Sequence, residues 1–171
     1  YGPMSVSQFM SDCLFHETYG YYTRQAAVGA AGDFITAPEI SQVFGELIGL
    51  WCAVVWQQMG DPARVHLVEF GPGRGTLMAD ALRSARAVPK FRQALQVHLV
   101  EINTTLKQAQ RERLAGEAAI SWHDEWPEPE RFAGEPVIVL GNEFLDALPI
   151  EQIVARSGAW HWREVGLDAQ D

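Results

Sequence analysis

The chain has little of what marks several common protein classes. Only two of its 171 residues are cysteine, Cys13 and Cys52. Both lie in apolar, helix-like stretches, and neither has a His or Cys partner at metal-ligand spacing. That points away from a disulfide scaffold or a zinc site and toward reduced, buried thiols. Positive charge is also scarce: 13 Lys and Arg stand against 22 Asp and Glu, a formal net charge of -9. There is thus no basic footprint for gripping a phosphate backbone, and no nucleic acid is expected as a primary partner. No apolar run approaches the roughly 20 residues of a membrane span, so no membrane span is expected. The opening residues carry neither a signal-peptide pattern nor an Arg-rich presequence. What is present, 47% hydrophobic and 20% charged residues, suits one core of ordinary size and is too little for two full domains.

Residues 1–62 read as helical. Ser5 or Ser7 caps a short helix through Phe9, Met10 and Leu14. The Tyr19–Tyr22 cluster and the small residues of 26–32 read as irregular, mobile chain. Thr36 and Glu39 have capping-box spacing at the head of a longer helix, with Glu39 expected to reach back to the Thr36 amide. Phe44, Leu47, Ile48, Trp51, Val54 and Val55 then give that helix one apolar face, and Gly60-Asp61-Pro62 ends it. Past residue 62 the pattern changes to short apolar runs at 65–70, 97–102, 119–122 and 137–140. Helical patterns lie between the first three, one with Leu77, Met78, Ala81, Leu82 and Ala85 and another with Leu106, Ala109 and Leu114. Strands alternating with helices predict an α/β fold with a parallel, doubly wound sheet. Residues 150–155 and 160–165, joined by Arg156–Ala159, predict a closing β-hairpin.

The sharpest motif follows the first strand: Glu69-Phe70-Gly71-Pro72-Gly73-Arg74-Gly75-Thr76. Glycines at 71, 73 and 75 permit a tight turn and close approach of a ligand. A dinucleotide fingerprint would place glycine where Thr76 stands, which disfavours a nicotinamide dehydrogenase. Gly-x-Gly-x-Gly, with an acid two positions earlier, is the spacing of S-adenosylmethionine sites. Glu101, at the end of the second strand, stands where a carboxylate accepts both hydroxyls of a ribose. Trp122 or Asp124, at the end of the third, is a candidate for the adenine, with Trp122 as plain core the competing reading. After the fourth strand, Asn142, Glu143, Phe144 and Asp146 put an amide, two carboxylates and an aromatic at the same sheet edge. Methyl transfer to nitrogen depends mostly on positioning a lone pair in line with the methyl, and carboxylates orient a guanidinium. The competing reading makes Asn142 a turn cap and the two acids solvated charges. His66 and His98 alternate with apolar residues and read as structural. His16, His123 and His161 have no ligand spacing, so neither a metal nor a Ser-His-Asp triad is expected.

Taken together, residues 32–46, 69–77 and 141–149, with Gly2–Val6 and Gly20–Tyr22, resemble the MidA family of S-adenosylmethionine-dependent methyltransferases, which includes a mitochondrial complex I assembly factor. The resemblance runs through essentially the whole chain, with three motifs in order. It implies a Rossmann-like S-adenosylmethionine-dependent methyltransferase fold, with residues 1–62 as a helical lid segment and 63–171 as the N-terminal part of the catalytic domain. The sheet read here has four parallel strands against the seven such folds usually have, so it is expected to be incomplete. The implied activity is protein arginine N-methylation of a complex I-type subunit or another protein. The alternative is an assembly factor that binds cofactor and partner without turnover. Cofactor contact is assigned to Glu69, Gly71, Gly73, Gly75, Thr76, Glu101, Asp124 and Asn142. Orientation of the acceptor falls to Asn142, Glu143, Asp146 and Glu39, with Thr36, Pro38 and Ser41 also on the lid. The Asn142-Glu143-Phe144 step only loosely matches the Asn/Asp-Pro-Pro-aromatic motif of many nitrogen methyltransferases. The expected location is the bacterial cytoplasm, with the mitochondrial matrix as the alternative.

Overall fold

The computed structural model describes residues 2–23, 36–117 and 119–167. The expectation for 26–32, and the first part of the 32–46 motif, lie outside the described residues. Contacts gather the chain into two compact units, one of Tyr1–Ala27 with Leu145–Asp171 and the other of Val28–Phe144.

In the first unit, β1 (Met4–Ser5) pairs antiparallel with β8 (Glu164–Val165), a pairing that the helical reading of 1–62 does not contain. Ser5 then caps α1 (Val6–Phe15) by accepting from the Gln8 amide at 3.1 Å. No residue of α1 is buried, and Cys13 is exposed. The expectation of two buried thiols therefore holds for Cys52 alone, because α1 buries no face. The hairpin of β6 (Ile153–Arg156) and β7 (Ala159–Trp162) forms, with a shorter turn than expected. Ser157 and Gly158, at φ 49° and 80°, make a two-residue connection whose twist matches the strands.

The second unit holds the sheet. Its strands β2 (Val65–Phe70), β3 (Leu95–Val100), β4 (Ile120–His123) and β5 (Val137–Leu140) are all parallel, in the order β4-β3-β2-β5. The α/β expectation holds. The chain moves outward from β2 to β4 and then returns to the other side of β2, so the direction of winding reverses between β2 and β5. Ligands of such sheets bind beyond the carboxyl ends of the strands at that reversal.

One face of the sheet is covered by α3 (Gln42–Gln58), α4 (Thr76–Ala85) and α5 (Pro89–Ala94) around Cys52, Trp56, Leu67, Met78, Leu82, Phe91 and Leu99. Helix α5 was not expected. Pro89 opens it instead of merely closing α4, because a missing amide costs nothing at a first helical position. Of the apolar face expected on α3, Phe44, Ile48 and Val55 pack half-buried against the core and the rest does not. Leu47, Trp51 and Val54 are exposed, while Gly45, Gly49, Cys52, Ala53 and Trp56 are buried. The small residues win because they let the helices touch: a Cβ on Gly45 would stand 2.6 Å from Asp80 Cβ on α4. The single helix expected from Thr36 is also two. Helix α2 (Ala37–Ile40) stops at Ser41, whose extended backbone (φ -147°) and side chain, accepting from the Val43 amide at 3.3 Å, start α3 afresh.

The other face carries Val68, Val100 and Phe132 and a row of histidines. His66 on β2 lies 2.9 Å from His98 on β3, and His98 lies 3.0 Å from His123 on β4. The free end of His66 meets Glu135 at 2.9 Å, and the edge of Phe132 packs on both His66 and His98.

Candidate functional site

The glycine turn after β2 adopts the left-handed conformations its sequence anticipates, with φ of 58°, 54° and 77° at Gly71, Gly73 and Gly75. Any side chain would strain all three. The turn closes through Gly75 donating to the Pro72 carbonyl at 2.8 Å and hands the chain to α4 at Thr76. The space a Cβ would need is partly used by protein. At Gly71 it would stand 2.7 Å from the Phe144 ring, and at Gly75 3.3 Å from Gln110 Cγ. Phe144 follows β5, so the turns on the two sides of the winding reversal touch.

Beneath this turn Glu69 is buried, and among the described residues its Oε2, like Asp80 Oδ2 on α4, has no hydrogen-bond partner. Burial alone pushes its carboxyl up to about 8. A buried carboxylate oxygen without a partner is costly for the folded chain, and an ammonium group is the ligand chemistry that would satisfy it. Glu101, just past β3, is also buried. Its Oε1 accepts from the Asn103 amide at 2.9 Å. Burial raises its pKa, against the opposing pull of the Asn103 and Ile102 amides, Lys107 and Gln110. Asn103 in turn caps α6 (Thr104–Arg113), accepting from Thr105 and Leu106. These two acids, with the turn between them, form a donor set that fits the amino-acid and ribose ends of S-adenosylmethionine.

Helix α2 crosses the same edge. Thr76 donates to Glu39, so Glu39 does not make the capping-box bond back to the Thr36 amide. The hydroxyl brought in by α4 takes it instead. The Ala37 amide donates to Glu143 at 3.2 Å. Glu143 holds φ 48°, a left-handed value that L residues rarely adopt and that recurs at functional sites. Glu39, Thr76 and Glu143 are thus gathered near the winding reversal, with Asn142 half-buried beside them. Phe70 stacks on Trp126 at 5.3 Å and meets Phe144 at 5.4 Å, adding an aromatic wall.

Two assigned residues have other partners. Asp124 is exposed and ion-paired with Lys107, which holds its pKa below the usual value. Asp146 lies in the first unit, where its charge helps burial to raise the Tyr22 hydroxyl. Trp122 packs against the core with its indole nitrogen bonded to Gln110. Trp56 is core, and its Nε1 donates to the Pro62 carbonyl at 2.9 Å, whereas Trp51 is exposed. Gln110 escaped sequence reasoning altogether. Leu106, Gln110 and Leu114 fall at four-residue steps, which marks 110 as an inward position.

Comparison with known proteins accords with this geometry. Residues 47–171 match the family described as "Putative S-adenosyl-L-methionine-dependent methyltransferase". The chain is 37% identical to the mitochondrial protein arginine methyltransferase NDUFAF7 of Danio rerio, an alignment covering 98% of this chain and 44% of that protein. The Homo sapiens counterpart is 35% identical over 98% of this chain and 42% of its own length. The chain therefore spans less than half the length of these relatives. Among solved structures it is similar to a COG1565 superfamily member from Burkholderia thailandensis bound to S-adenosyl-homocysteine. The TM-score is 0.76 at 29% identity, over 99% of this chain and 44% of that one. The parallel sheet is that of a Rossmann-like methyltransferase, and the chain belongs to this S-adenosyl-L-methionine-dependent methyltransferase family.

Proposed function

We propose that this chain supplies the cofactor site of an S-adenosylmethionine-dependent protein arginine N-methyltransferase. The observation that carries the reading is the partnerless, buried Glu69 oxygen beneath a left-handed glycine turn at the winding reversal. In this reading Glu69 and the turn receive the amino-acid end of the cofactor and Glu101 receives its ribose. Residues 1–62 contribute the lid, of which α2 is the described part that reaches the sheet edge. Bound cofactor would supply an electrophilic methyl group.

The chain's own residues do the rest by positioning. Glu143 and Glu39 each have one oxygen engaged within the protein, by Ala37 and Thr76. As carboxylates they orient an incoming guanidinium and stabilise its positive charge, and the Asn142 amide adds a neutral hydrogen-bonding group. Asp146 joins them in this proposal as a further acid on the same stretch of sequence. The names of the arginine-methylating relatives favour a protein acceptor, and a complex I-type subunit is the first candidate. Mitochondrial relatives and bacterial structural neighbours make the mitochondrial matrix and the bacterial cytoplasm the two locations to test.

Calorimetric titration of the chain with S-adenosyl-homocysteine is expected to show saturable binding at one site, and no heat would overturn the cofactor reading. Labelled S-adenosylmethionine and a candidate subunit then test turnover with the full-length protein. Label on arginine supports transfer, whereas binding without label favours an assembly factor that does not turn over.

A further inference from the structure

Helix α6 buries a single residue, and that residue is Gln110. It is 0% exposed, on a helix otherwise facing water or half-covered. A leucine would fill the same space without an amide to satisfy, so the buried amide asks for a reason. Its hydrogen bonds supply one. Nε2 donates to the Gly73 carbonyl at 2.7 Å, and Oε1 accepts from the Trp122 indole at 3.0 Å. The same side chain faces the Glu101 carboxylate and favours its charged form. The indole can only donate and the carbonyl can only accept, so the amide has a single satisfactory orientation: oxygen to Trp122, nitrogen to Gly73. Trp122 is itself held by the Arg111 guanidinium, 5.2 Å from its ring centre. Gln110 also fills the space beside Gly75. One side chain thereby ties the middle of the glycine turn to Trp122 on β4 and stands beside the acid that follows β3.

We infer that Gln110 is a positioning residue that holds the glycine turn and the Glu101 carboxylate in one frame for the cofactor, a role resting on the cofactor site proposed above. Position is what this frame supplies. The turn must present backbone to one end of the ligand and Glu101 must present oxygens to another, and a shared rigid linker keeps both in place before the ligand arrives. The groups facing Glu101 are the Ile102 and Asn103 amides, Lys107 and Gln110. Losing the Gln110 amide removes one polar neighbour that favours the charged form of that carboxylate.

The test is calorimetric titration of S-adenosyl-homocysteine into the wild-type chain and into Gln110→Leu, at pH 6, 7 and 9, with thermal unfolding of both. Wild type is expected to bind. Gln110→Leu is expected to fold and to bind about tenfold or more weakly at pH 7, as when other supporting hydrogen bonds are cut. Without the amide, Glu101 takes up a proton more readily, so the deficit widens as pH falls and narrows as pH rises. A merely structural role predicts the same deficit at each pH. Gln110→Leu binding within twofold of wild type, or a deficit independent of pH, overturns the inference and leaves the proposed function standing. Absence of binding by wild type overturns both. Should Gln110→Leu not fold, the wild-type chain decides through the Trp122 indole N–H resonance, assigned by its loss in Trp122→Phe. It is expected to shift when S-adenosyl-homocysteine binds, and a resonance unmoved at saturation overturns the inference.

Discussion

His66 and Glu69 lie on the same strand, face opposite sides of the sheet, and are both buried. On the His66 side both ring nitrogens of His66 and of His98 have partners. Glu135 as a carboxylate only accepts, so His66 donates to it through Nε2 and must accept at Nδ1 from His98 Nε2. His98 must likewise accept from His123 Nε2. The row has one consistent set of tautomers and room for one extra proton, because two charged rings would leave a nitrogen facing a proton it cannot accept. On the Glu69 side the strand packs on the apolar core, and among the described residues Glu69 Oε2 has no hydrogen-bond partner, as also holds for Asp80 Oδ2 on α4. Burial with partners is architecture, whereas burial without partners on the side of the glycine turn is a place prepared for something else. The two sides also titrate in opposite senses.

The largest expected effect comes from cutting the bonded row. His98→Leu strands His66 Nδ1 and His123 Nε2 and is expected to cost about 2–4 kcal/mol in urea unfolding at pH 7. Burial, then His66, His123 and Arg131, push His98 down to about 4. This lies below its ordinary 6.5, so its contribution to stability is fully present above pH 6.5 and is lost as pH falls toward 4. The parent should therefore weaken across that window and the variant should weaken less. Equal slopes would show that the row does not set the acid response.

Glu69 should behave the other way. Its folded value of about 8 stands above the ordinary 4.5, so the folded chain keeps a proton that the unfolded chain releases. Its contribution is fully present below pH 4.5 and is lost as pH rises through 8. Glu69→Gln is expected to be more stable than the parent at pH 8.5, by about 1–3 kcal/mol, yet to bind S-adenosyl-homocysteine about tenfold more weakly. A variant that loses stability at that pH would mean Glu69 is architecture after all. The smallest effect is expected at a satisfied contact on the site side. Thr76→Val removes the hydroxyl that holds Glu39 and should cost about 0.5–1.5 kcal/mol, with a modest rise in cofactor Kd. A loss as large as that of His98→Leu would erase the distinction.

The sheet and the glycine turn could be read from sequence because their signals are local. The run at 137–140 matches β5, and 65–70 matches β2, since apolar runs bounded by turn residues need no distant partner to be recognised. Glycines at 71, 73 and 75 likewise declared a left-handed turn. What escaped depends on register between strands. His66, His98 and His123 meet only because β2 and β3 align Val68 with His98 while β3 and β4 align Val100 with His123. The split at Ser41 and the exposure of Leu47, Trp51 and Val54 also follow from a partner, since α4 offers a flat surface to Gly45 and Gly49. A helix read alone shows which residues are apolar, not which face its neighbour can approach.

The winding reversal has a consequence for how the molecule is made. β2 pairs with β3, its near neighbour along the chain, but its other edge waits for β5, which emerges only after β3, α6 and β4 have all been placed. Closing so long a loop carries an entropic cost that local helices and hairpins do not face. Phe144 and Glu143 follow β5, so the aromatic cover of Gly71 and the carboxylate over Ala37 arrive with that last strand. The glycine turn is therefore a complete site only in a chain whose β5 is paired with β2.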